Sequence, residues 1–202
     1  ARTGSTRLPK KILSSLGGMP LIKYLILRLK RSKNIENIIL ATTFKKEDDV
    51  LEEIFKDEDI IIFRGDDKDV LSRYANAAKI VDSQNLIRIT GDCPLIDPEL
   101  IDQAIEIFGK GDYDYLSNCN PPTYPDGLDI EIFTRDILIK ANNQCKDKLS
   151  REHVTIWIKN NKNLRIKNIT NDIDYSKLRI TVDEKEDLIV IREIINNLNN
   201  IK

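Results

Sequence analysis

Short apolar runs alternate with longer stretches of helical periodicity along this chain, and this alternation limits the fold more than any other feature. Three apolar runs have the length and β-branched content of buried strands: residues 37–43, 59–64 and 85–90. Helical patterns lie between or after them at residues 20–33, 47–56, 69–81 and 97–108. Strands that alternate with helices form βαβ units with right-handed crossovers. The sequence therefore predicts an α/β fold with a mostly parallel sheet.

The second half of the chain is less regular. Residues 118–127 contain three of the seven prolines, which predicts an irregular segment. Further strands are predicted at residues 113–117, 128–134, 164–169 and 178–182, and further helices at residues 135–144, 150–161 and 184–198. No internal repeat or linker composition interrupts this pattern, so we expect one domain over residues 1–202.

The composition excludes several classes of function. Lys and Arg number 32 against 33 Asp and Glu, so bulk attraction to nucleic acid or to a membrane is not expected. His153 is the one histidine, which excludes a histidine-rich metal site. Three cysteines without a CxxC pair predict reduced thiols and a cytoplasmic location. We find neither an apolar run long enough to span a membrane nor a signal-peptide pattern.

The first eleven residues, ARTGSTRLPKK, form a basic segment that contains glycine and hydroxyl side chains. Gly4 allows the backbone to approach a phosphate, and cationic or hydroxyl donors surround it: Arg2, Ser5, Arg7 and Lys11. A solvated basic loop explains this composition equally well, but the position before the first helix of an α/β pattern favours phosphate binding. Loops of this kind follow a buried strand. We therefore expect an N-terminally truncated domain that lacks its first strand.

Two carboxylates come directly after predicted strands, Asp92 after residues 85–90 and Asp183 after residues 178–182. Ligands of such sheets bind beyond the carboxyl ends of the strands, and Mg²⁺ takes one or two protein carboxylates. The pattern favours a metal site at Asp92. For Asp183 it fits a metal ligand and a helix N-cap equally well, while Asp97 is predicted to cap a helix.

Polar residues of the second half are candidates for contacts with a substrate. Asp126 belongs to a turn, while Asp129 and Glu131 are two positions apart and share one face of a strand. Substrate hydroxyl groups and the wet face of an edge strand explain this pair equally well. His153 stands beside Arg151 in the predicted first turn of a helix, where a structural or orienting role fits better than that of a base.

Six motifs occur in a fixed order: STRLP followed by Lys11, RGDDKDVLSRY, RITGDCPLIDPELID, YPDGLDIEIF, REHVT and RITVDEKEDL. Together they resemble the cytidylyltransferase family that includes the spore coat polysaccharide biosynthesis protein F group. They are more distantly similar to CMP-sialic acid and CMP-KDO synthetases. The resemblance extends over the whole chain. Two features depart from the family pattern, since Lys10 stands where relatives carry glycine and the hydrophobic strand leading into the loop is missing.

The resemblance implies a Rossmann-like three-layer nucleotidyltransferase fold and a CTP-dependent enzyme that uses Mg²⁺. It implies cytidylyl transfer to a sugar acid of the nonulosonic or octulosonic type, with release of pyrophosphate, for surface polysaccharide or glycan biosynthesis. The residues expected to hold the nucleotide are Arg2, Gly4, Ser5, Arg7, Lys11 and, one turn after the predicted helix cap Asp69, Arg73. The expected metal ligands are Asp92 and Asp183, and the expected catalytic residues are Arg7, Lys11 and Asp92. Contacts with the acceptor are expected from Asp126, Asp129, Glu131, Arg151 and His153.

The sequence leaves two other interpretations open. One is a glycosyltransferase or another nucleotide-sugar transferase on the same fold, and the other is an inactive truncated copy. The expected partners are the small molecules CTP and a sugar acid, with no nucleic acid and no membrane. A homodimer is also expected, with residues 118–127 and the strand after them as its contact.

Overall fold

The computed structural model describes residues 1–199, with side chains through residue 197. The strands in this range are β1 (Ser15–Leu16), β2 (Met19–Pro20), β3 (Ile39–Thr43), β4 (Ile61–Gly65), β5 (Asn85–Arg88), β6 (Tyr115–Ser117), β7 (Glu131–Thr134) and β8 (Ile166–Asn168). The α-helices are α1 (Leu21–Leu29), α2 (Asp49–Phe55), α3 (Val70–Ala77), α4 (Pro98–Lys110), α5 (Arg135–Gln144), α6 (Lys148–His153), α7 (Ile156–Lys159) and α8 (Lys185–Asn199). None of these helices combines the length and apolar character that a bilayer crossing requires.

Two sheets carry the fold, and β1 and β2 form a separate hairpin. Strands β3 and β4 pair in parallel, whereas the larger sheet has the strand order β5-β7-β6-β8. Within it β7 runs antiparallel to both β5 and β6, and β8 is parallel to β6. The predicted α/β class is confirmed, but the larger sheet is mixed rather than mostly parallel. The reason is that an irregular segment without a crossover helix joins β6 to β7, so the chain returns in the opposite direction.

Helices cover both faces of the larger sheet. Successive residues of a strand point to opposite faces, and the neighbours on β6 and β7 divide accordingly. Leu116 and Ile132 belong to the cluster that includes α1 and α4. Tyr115 and Phe133 belong to the cluster that includes α3 and α5. Each such buried side chain contributes about 1.5–3 kcal/mol relative to an exposed one, so these two clusters hold a three-layer structure together.

Local signals in the sequence explain where the helices begin. The side chain of Asp69 accepts a hydrogen bond from the backbone N–H of Ser72 at the start of α3. Asp97 accepts one from Glu99 at the start of α4, which confirms its predicted role as a cap. In α1 the buried apolar residues recur every three or four positions, which directs one side of the helix into the core.

The helix predicted over residues 150–161 is divided into α6 and α7. Val154 has a φ angle of 59°, which no α-helix accommodates, and it separates the two. Helix α6 also begins two residues earlier than predicted, because Asp147 caps it by accepting a hydrogen bond from Ser150 N. As a result His153 lies at the C-terminal end of α6 and not in a first turn.

Residues 178–182 form no ladder with the described strands, although the sequence predicts a strand there. The pairing of this segment in the described residues is an isolated parallel β-bridge between Asp126 and Arg179. The segment is instead fixed after β5, where Val182 N and Thr181 Oγ1 donate to the carbonyl oxygen of Asp92 at 2.8 and 3.0 Å. This attachment places the residue after Val182 beside the end of β5.

An apolar cavity of about 560 Å³ separates the two sheets. It is lined by residues of β3 and β5, among them Leu40 and Ile87, and by Ile22 of α1. Within residues 1–199, β3 pairs with β4 alone and β5 pairs with β7 alone. The expectation of an N-terminally truncated domain stays a prediction.

Gly127 lies where the turn before β7 packs on the backbone of residues 180–181. Its φ angle is +112°, and a Cβ atom there would lie 2.7 Å from Ile180 C and from Thr181 N. We expect Gly127→Ala to lower the free energy of unfolding by about 2–5 kcal/mol, because backbone strain and a clash with rigid atoms add together. Urea denaturation followed by circular dichroism measures the change.

Gly109→Ala is the matched control for this prediction. Gly109 lies within α4, and a Cβ atom at this position meets no heavy atom within 4 Å. Alanine should therefore stabilise the helix by about 0.5–1 kcal/mol. Equal free energies of unfolding for the two variants would contradict the role assigned to Gly127.

Candidate functional site

The loop that precedes the first helical turn folds back on Thr3. The carbonyl oxygen of Thr3 accepts hydrogen bonds from Ser5 N at 2.9 Å and from Lys10 N at 3.0 Å. Lys10 has a φ angle of 57°, a left-handed conformation in which glycine is more usual. Lys10 thus adopts the left-handed conformation at the position where the resemblance leads one to expect glycine, and the loop closes in spite of the lysine.

A pocket of about 280 Å³ lies between this loop and the residues that follow β5. Seven of the residues predicted to bind nucleotide or metal line it, namely Arg2, Gly4, Ser5, Arg7, Lys11, Asp92 and Asp183. The sequence places these residues in three distant segments, and the fold brings the segments together. The pocket therefore combines cations, backbone of a glycine-containing loop and two carboxylates.

The ammonium group of Lys11 lies between the two carboxylates. Its Nζ donates to Asp92 Oδ2 at 3.1 Å and to Asp183 Oδ1 at 2.9 Å. Burial raises the pKa of Asp92, but the charge of Lys11 and a hydrogen bond from Thr90 outweigh it and lower the pKa below the ordinary value. Arg7 NH2 lies 3.0 Å from the same oxygen of Asp183. Both carboxylates thus converge on one position that a cation occupies.

The side chain of Asp183 serves this cluster rather than the helix that follows. Its two oxygens contact the cationic groups of Lys11, Arg7 and Arg179. At the start of α8 it is Asp187 that accepts hydrogen bonds from the backbone N–H groups of residues 183 and 184, at 2.8 and 2.9 Å. In the described part of the chain, the Asp183 side chain accepts no hydrogen bond from the backbone of α8, so its alternative role as a cap is not observed.

Arg179 is a residue that the sequence did not single out. Its guanidinium reaches Asp126 at 2.6 Å, Asp183 at 3.1 Å and Asp187 at 3.0 Å. It thereby connects the turn before β7 to the carboxylate pair. The signal was present in the motif RITVDEKEDL, where an arginine stands four positions before Asp183.

Asp48 is a second residue that sequence reasoning missed. It is 1% exposed, and Oδ1 accepts hydrogen bonds from Thr3 N at 2.8 Å and Thr3 Oγ1 at 2.7 Å. Its Oδ2 accepts a third from Thr43 Oγ1 at 2.5 Å. The sequence offered little signal for it, because Asp48 lies five positions after the predicted strand over residues 37–43, inside the acidic run of residues 47–49.

The donor set fits a divalent cation with few protein ligands. Among side chains 1–197 no group of three or more His, Cys, Asp or Glu residues is arranged to hold a metal ion. Asp92 and Asp183 nevertheless converge within hydrogen-bond distance of one ammonium group. Mg²⁺ is usually held by one or two carboxylates and completes its shell with substrate phosphates and water. The arrangement suits that mode and does not suit a closed cage of protein ligands.

Asp129 is half-buried and lies near enough to Asp92 for the two charges to interact. Burial raises the pKa of its carboxyl group, and the negative charges of Asp126 and Glu131 raise it further. In the part of the chain with described side chains, its carboxylate accepts no hydrogen bond and forms no ion pair. Asp129 therefore keeps its acceptor capacity for a ligand.

Glu131 is not the substrate contact that the sequence predicts, because other side chains bind its buried carboxylate. It is 3% exposed, and its oxygens accept hydrogen bonds from Tyr115 at 2.6 Å, Thr155 at 2.8 Å and Arg88, with Lys159 paired at 2.8 Å. Burial raises the pKa of Glu131, but the charges of Arg88 and Lys159 prevail and lower it to about 2. The alternative of a wet edge strand is wrong as well, because β7 lies between β5 and β6.

Arg151 and Arg73 are also occupied inside the protein. Arg151 donates to Asp69 and to the carbonyl oxygens of Asn142 and Cys145, each at 2.9 Å, and so joins α3, α5 and α6. Arg73 is 5% exposed and donates to the carbonyl oxygen of residue 66. Neither residue lines the loop pocket. The geometry corrects the expectation that they face a ligand, since their donors hold neighbouring elements.

Arg2 and His153 retain exposed polar groups. Arg2 lines the loop pocket and pairs with Asp67, which also binds Lys45 at 2.8 Å. The His153 side chain is exposed at the end of α6 and does not line the loop pocket. Arg2 is thus placed for a phosphate contact, whereas His153 lies apart from it.

Comparison with known proteins identifies the family. The cytidylyltransferase family model matches residues 1–196. The spore coat polysaccharide biosynthesis protein SpsF of Bacillus subtilis is 36% identical over 197 residues, which cover 93% of this chain and 80% of that protein. A 3-deoxy-manno-octulosonate cytidylyltransferase of Trichlorobacter lovleyi is 36% identical over 108 residues, or 54% of this chain and 42% of that protein.

A solved structure of a cytidylyltransferase from Leptospira borgpetersenii superimposes with a TM-score of 0.93 at 37% sequence identity. The alignment covers 97% of this chain and 84% of that one. The Rossmann-like nucleotidyltransferase fold implied by the six motifs is thereby confirmed. With its fold, its ordered motifs and nearly its whole length in agreement, the chain belongs to the cytidylyltransferase family and is a CTP-dependent nucleotidyltransferase.

Proposed function

We propose that this cytidylyltransferase activates a sugar acid of the nonulosonic or octulosonic type as its CMP derivative, for surface polysaccharide or glycan biosynthesis. The observation that carries the proposal is the convergence of loop cations and two carboxylates in one pocket. The names of two relatives support the acceptor class, since one acts in spore coat polysaccharide biosynthesis and the other on 3-deoxy-manno-octulosonate. Both relatives are 36% identical to this chain over the aligned residues.

The loop is proposed to hold the triphosphate of CTP. Arg2, Arg7 and Lys11 would contact phosphate oxygens, and the backbone at Gly4 and Ser5 would approach them closely. The side chain of Arg7 is 63% exposed, so its guanidinium has donors left after its contact with Asp183. These contacts fix the α-phosphorus in one place, which lowers the entropic part of the barrier.

In the proposed reaction a hydroxyl oxygen of the acceptor forms a bond to the α-phosphorus of CTP. The bond from that phosphorus to the oxygen bridging to the β-phosphate breaks, and pyrophosphate leaves with the electron pair. The hydroxyl proton passes to solvent or to a nearby base. Mg²⁺ held by Asp92 and Asp183 would neutralise phosphate charge during this transfer. Arg7 and Lys11 would neutralise further charge on the departing pyrophosphate.

Acceptor contacts are proposed for the side of the site opposite the loop. Asp129 offers the acceptor hydroxyl groups a carboxylate that has no hydrogen bond or ion pair among the described side chains, and Asp126 lies at the neighbouring turn. Glu131 and Arg151 would hold the neighbouring elements in place rather than touch the acceptor, because internal contacts occupy both side chains. His153 remains a proposed acceptor contact through its exposed side chain, although it does not line the loop pocket.

We also propose the homodimer and the cytoplasmic location expected from the sequence. Three exposed apolar side chains, Ile173, Tyr175 and Leu178, favour a dimer. Their segment is hydrogen-bonded to the stretch over residues 118–127, through Tyr175 N to the carbonyl oxygen of Thr123. The predicted contact region thus has apolar surface beside it.

A panel of nucleoside triphosphates tests the donor and the acceptor together. We expect pyrophosphate release with CTP and a nonulosonic or octulosonic acid, and release at least about 100-fold slower with UTP, ATP or GTP. A discrimination of this size follows from two lost hydrogen bonds of about 1.5 kcal/mol each. Neutral sugars without a carboxylate are the control acceptors. Release that occurs only with another triphosphate would refute the proposal.

Asp92→Asn tests the cation site. We expect turnover to fall by at least about 100-fold, because one of two converging charges is removed. Binding of Mn²⁺, used as a spectroscopic probe, should weaken in parallel. Asp97→Asn is the matched control, since Asp97 caps α4 outside the loop pocket and asparagine caps a helix equally well. A folded Asp92→Asn variant with unchanged turnover and unchanged Mn²⁺ binding would contradict the assignment.

A further inference from the structure

A buried carboxylate lies beneath the proposed triphosphate loop. Asp48 ends the 3₁₀ turn over Lys46–Asp48 that leads into α2, and it is almost inaccessible to solvent. Among side chains 1–197 it forms no ion pair with a basic residue. Three neutral groups satisfy its two oxygens, namely the backbone N–H and the hydroxyl of Thr3 and the hydroxyl of Thr43. Ala1 and Arg73 interact with its charge from a distance, but burial of a charge without a directly paired cation is costly, so these hydrogen bonds must hold it firmly.

The partner of Asp48 is the residue on which the loop closes. Thr3 commits its N–H and hydroxyl to Asp48, while its carbonyl oxygen accepts from Ser5 N and Lys10 N. The orientation of Thr3 therefore sets the direction of the following amide groups. It also sets the start of the 3₁₀ turn at Lys11, whose ammonium group reaches Asp92.

The other partner of Asp48 belongs to the sheet. Thr43 is the last residue of β3, and its hydroxyl also accepts a hydrogen bond from Lys45 N at 3.2 Å. Asp48 thus connects a loop without regular structure to the carboxyl end of a rigid strand. Burial raises the pKa of Asp48, but the hydrogen bonds from Thr43 and Thr3 outweigh it and lower the pKa, so the group stays ionised at neutral pH.

We propose that Asp48 is a positioning residue for cytidylyl transfer, which fixes Thr3 so that the loop cations face Asp92 and Asp183. This inference rests on the proposed role of the loop as the triphosphate site. A misplacement of about 1 Å in such a site costs as much as 100-fold in rate. The effect of Asp48 should therefore concern CTP and leave the acceptor site unchanged.

Three variants test the inference, all assayed well below the lowest melting temperature among them. Asp48→Ala removes all three hydrogen bonds, and we expect the KM for CTP to rise about 10–100-fold while the KM for the acceptor stays within twofold. Asp48→Asn keeps one acceptor oxygen for Thr3 and should give an intermediate rise. Asp49→Asn is the matched control, because Asp49 is exposed, pairs with Arg64 and should leave both KM values unchanged.

Binding of CTP without acceptor, measured by calorimetry, separates positioning from a purely structural role. Asp48→Asn and Thr3→Val should both weaken CTP binding while they remain folded, and these two variants carry the test if Asp48→Ala does not fold. Wild-type affinity and wild-type KM for CTP in Asp48→Asn and Thr3→Val, with only a lower melting temperature, would overturn the inference. If the wild-type protein itself neither binds CTP nor releases pyrophosphate from it, the proposed function fails instead.

Discussion

The contact of Lys11 with both Asp92 and Asp183 is the interaction on which the site depends. It joins residues that are 81 and 172 positions apart in the chain. Two partly buried carboxylates within hydrogen-bond distance of one ammonium group are close enough to repel each other. The cation between them turns this repulsion into attraction. The loop, the end of β5 and the segment before α8 are therefore held in one place by charge. Under the proposed function, a metal cation would take this position once substrate phosphates draw the ammonium group away.

Features encoded by a few neighbouring residues could be predicted from the sequence. The alternation of apolar runs with helical patterns gave the α/β class, and Asp97 was identified as a cap from its position before Pro98. Asp92 could be found because a carboxylate directly after a buried strand has little local reason to be there. In each case the cause lies within a few residues of the effect, so one sequence contains the whole signal.

Features that depend on elements arriving from elsewhere could not be predicted. The spacing of Asp129 and Glu131 shows that they share a face, but it does not show that α7 covers Glu131 with Lys159. The partners of Arg151 lie on α3 and α5, far away in sequence. Asp48 has its main partner 45 positions earlier. Only the tertiary structure separates a carboxylate that faces a ligand from one that holds the scaffold.

The net charge of the whole chain says little about the site, because positive and negative side chains occupy different parts of the site. The formal net charge is −1, yet the loop side presents Arg2, Arg7 and Lys11 to the pocket. Under the proposed function, the triphosphate of CTP would place its negative charges next to these cations. On the other side Asp126 is matched by Arg179, whereas Asp129 has no counter-ion among the described residues. An acceptor rich in hydroxyl donors suits Asp129. The carboxylate of such an acceptor would be better placed towards the cations of the loop. Under the proposed function, the pocket would orient a sugar acid by charge before any specific contact is made.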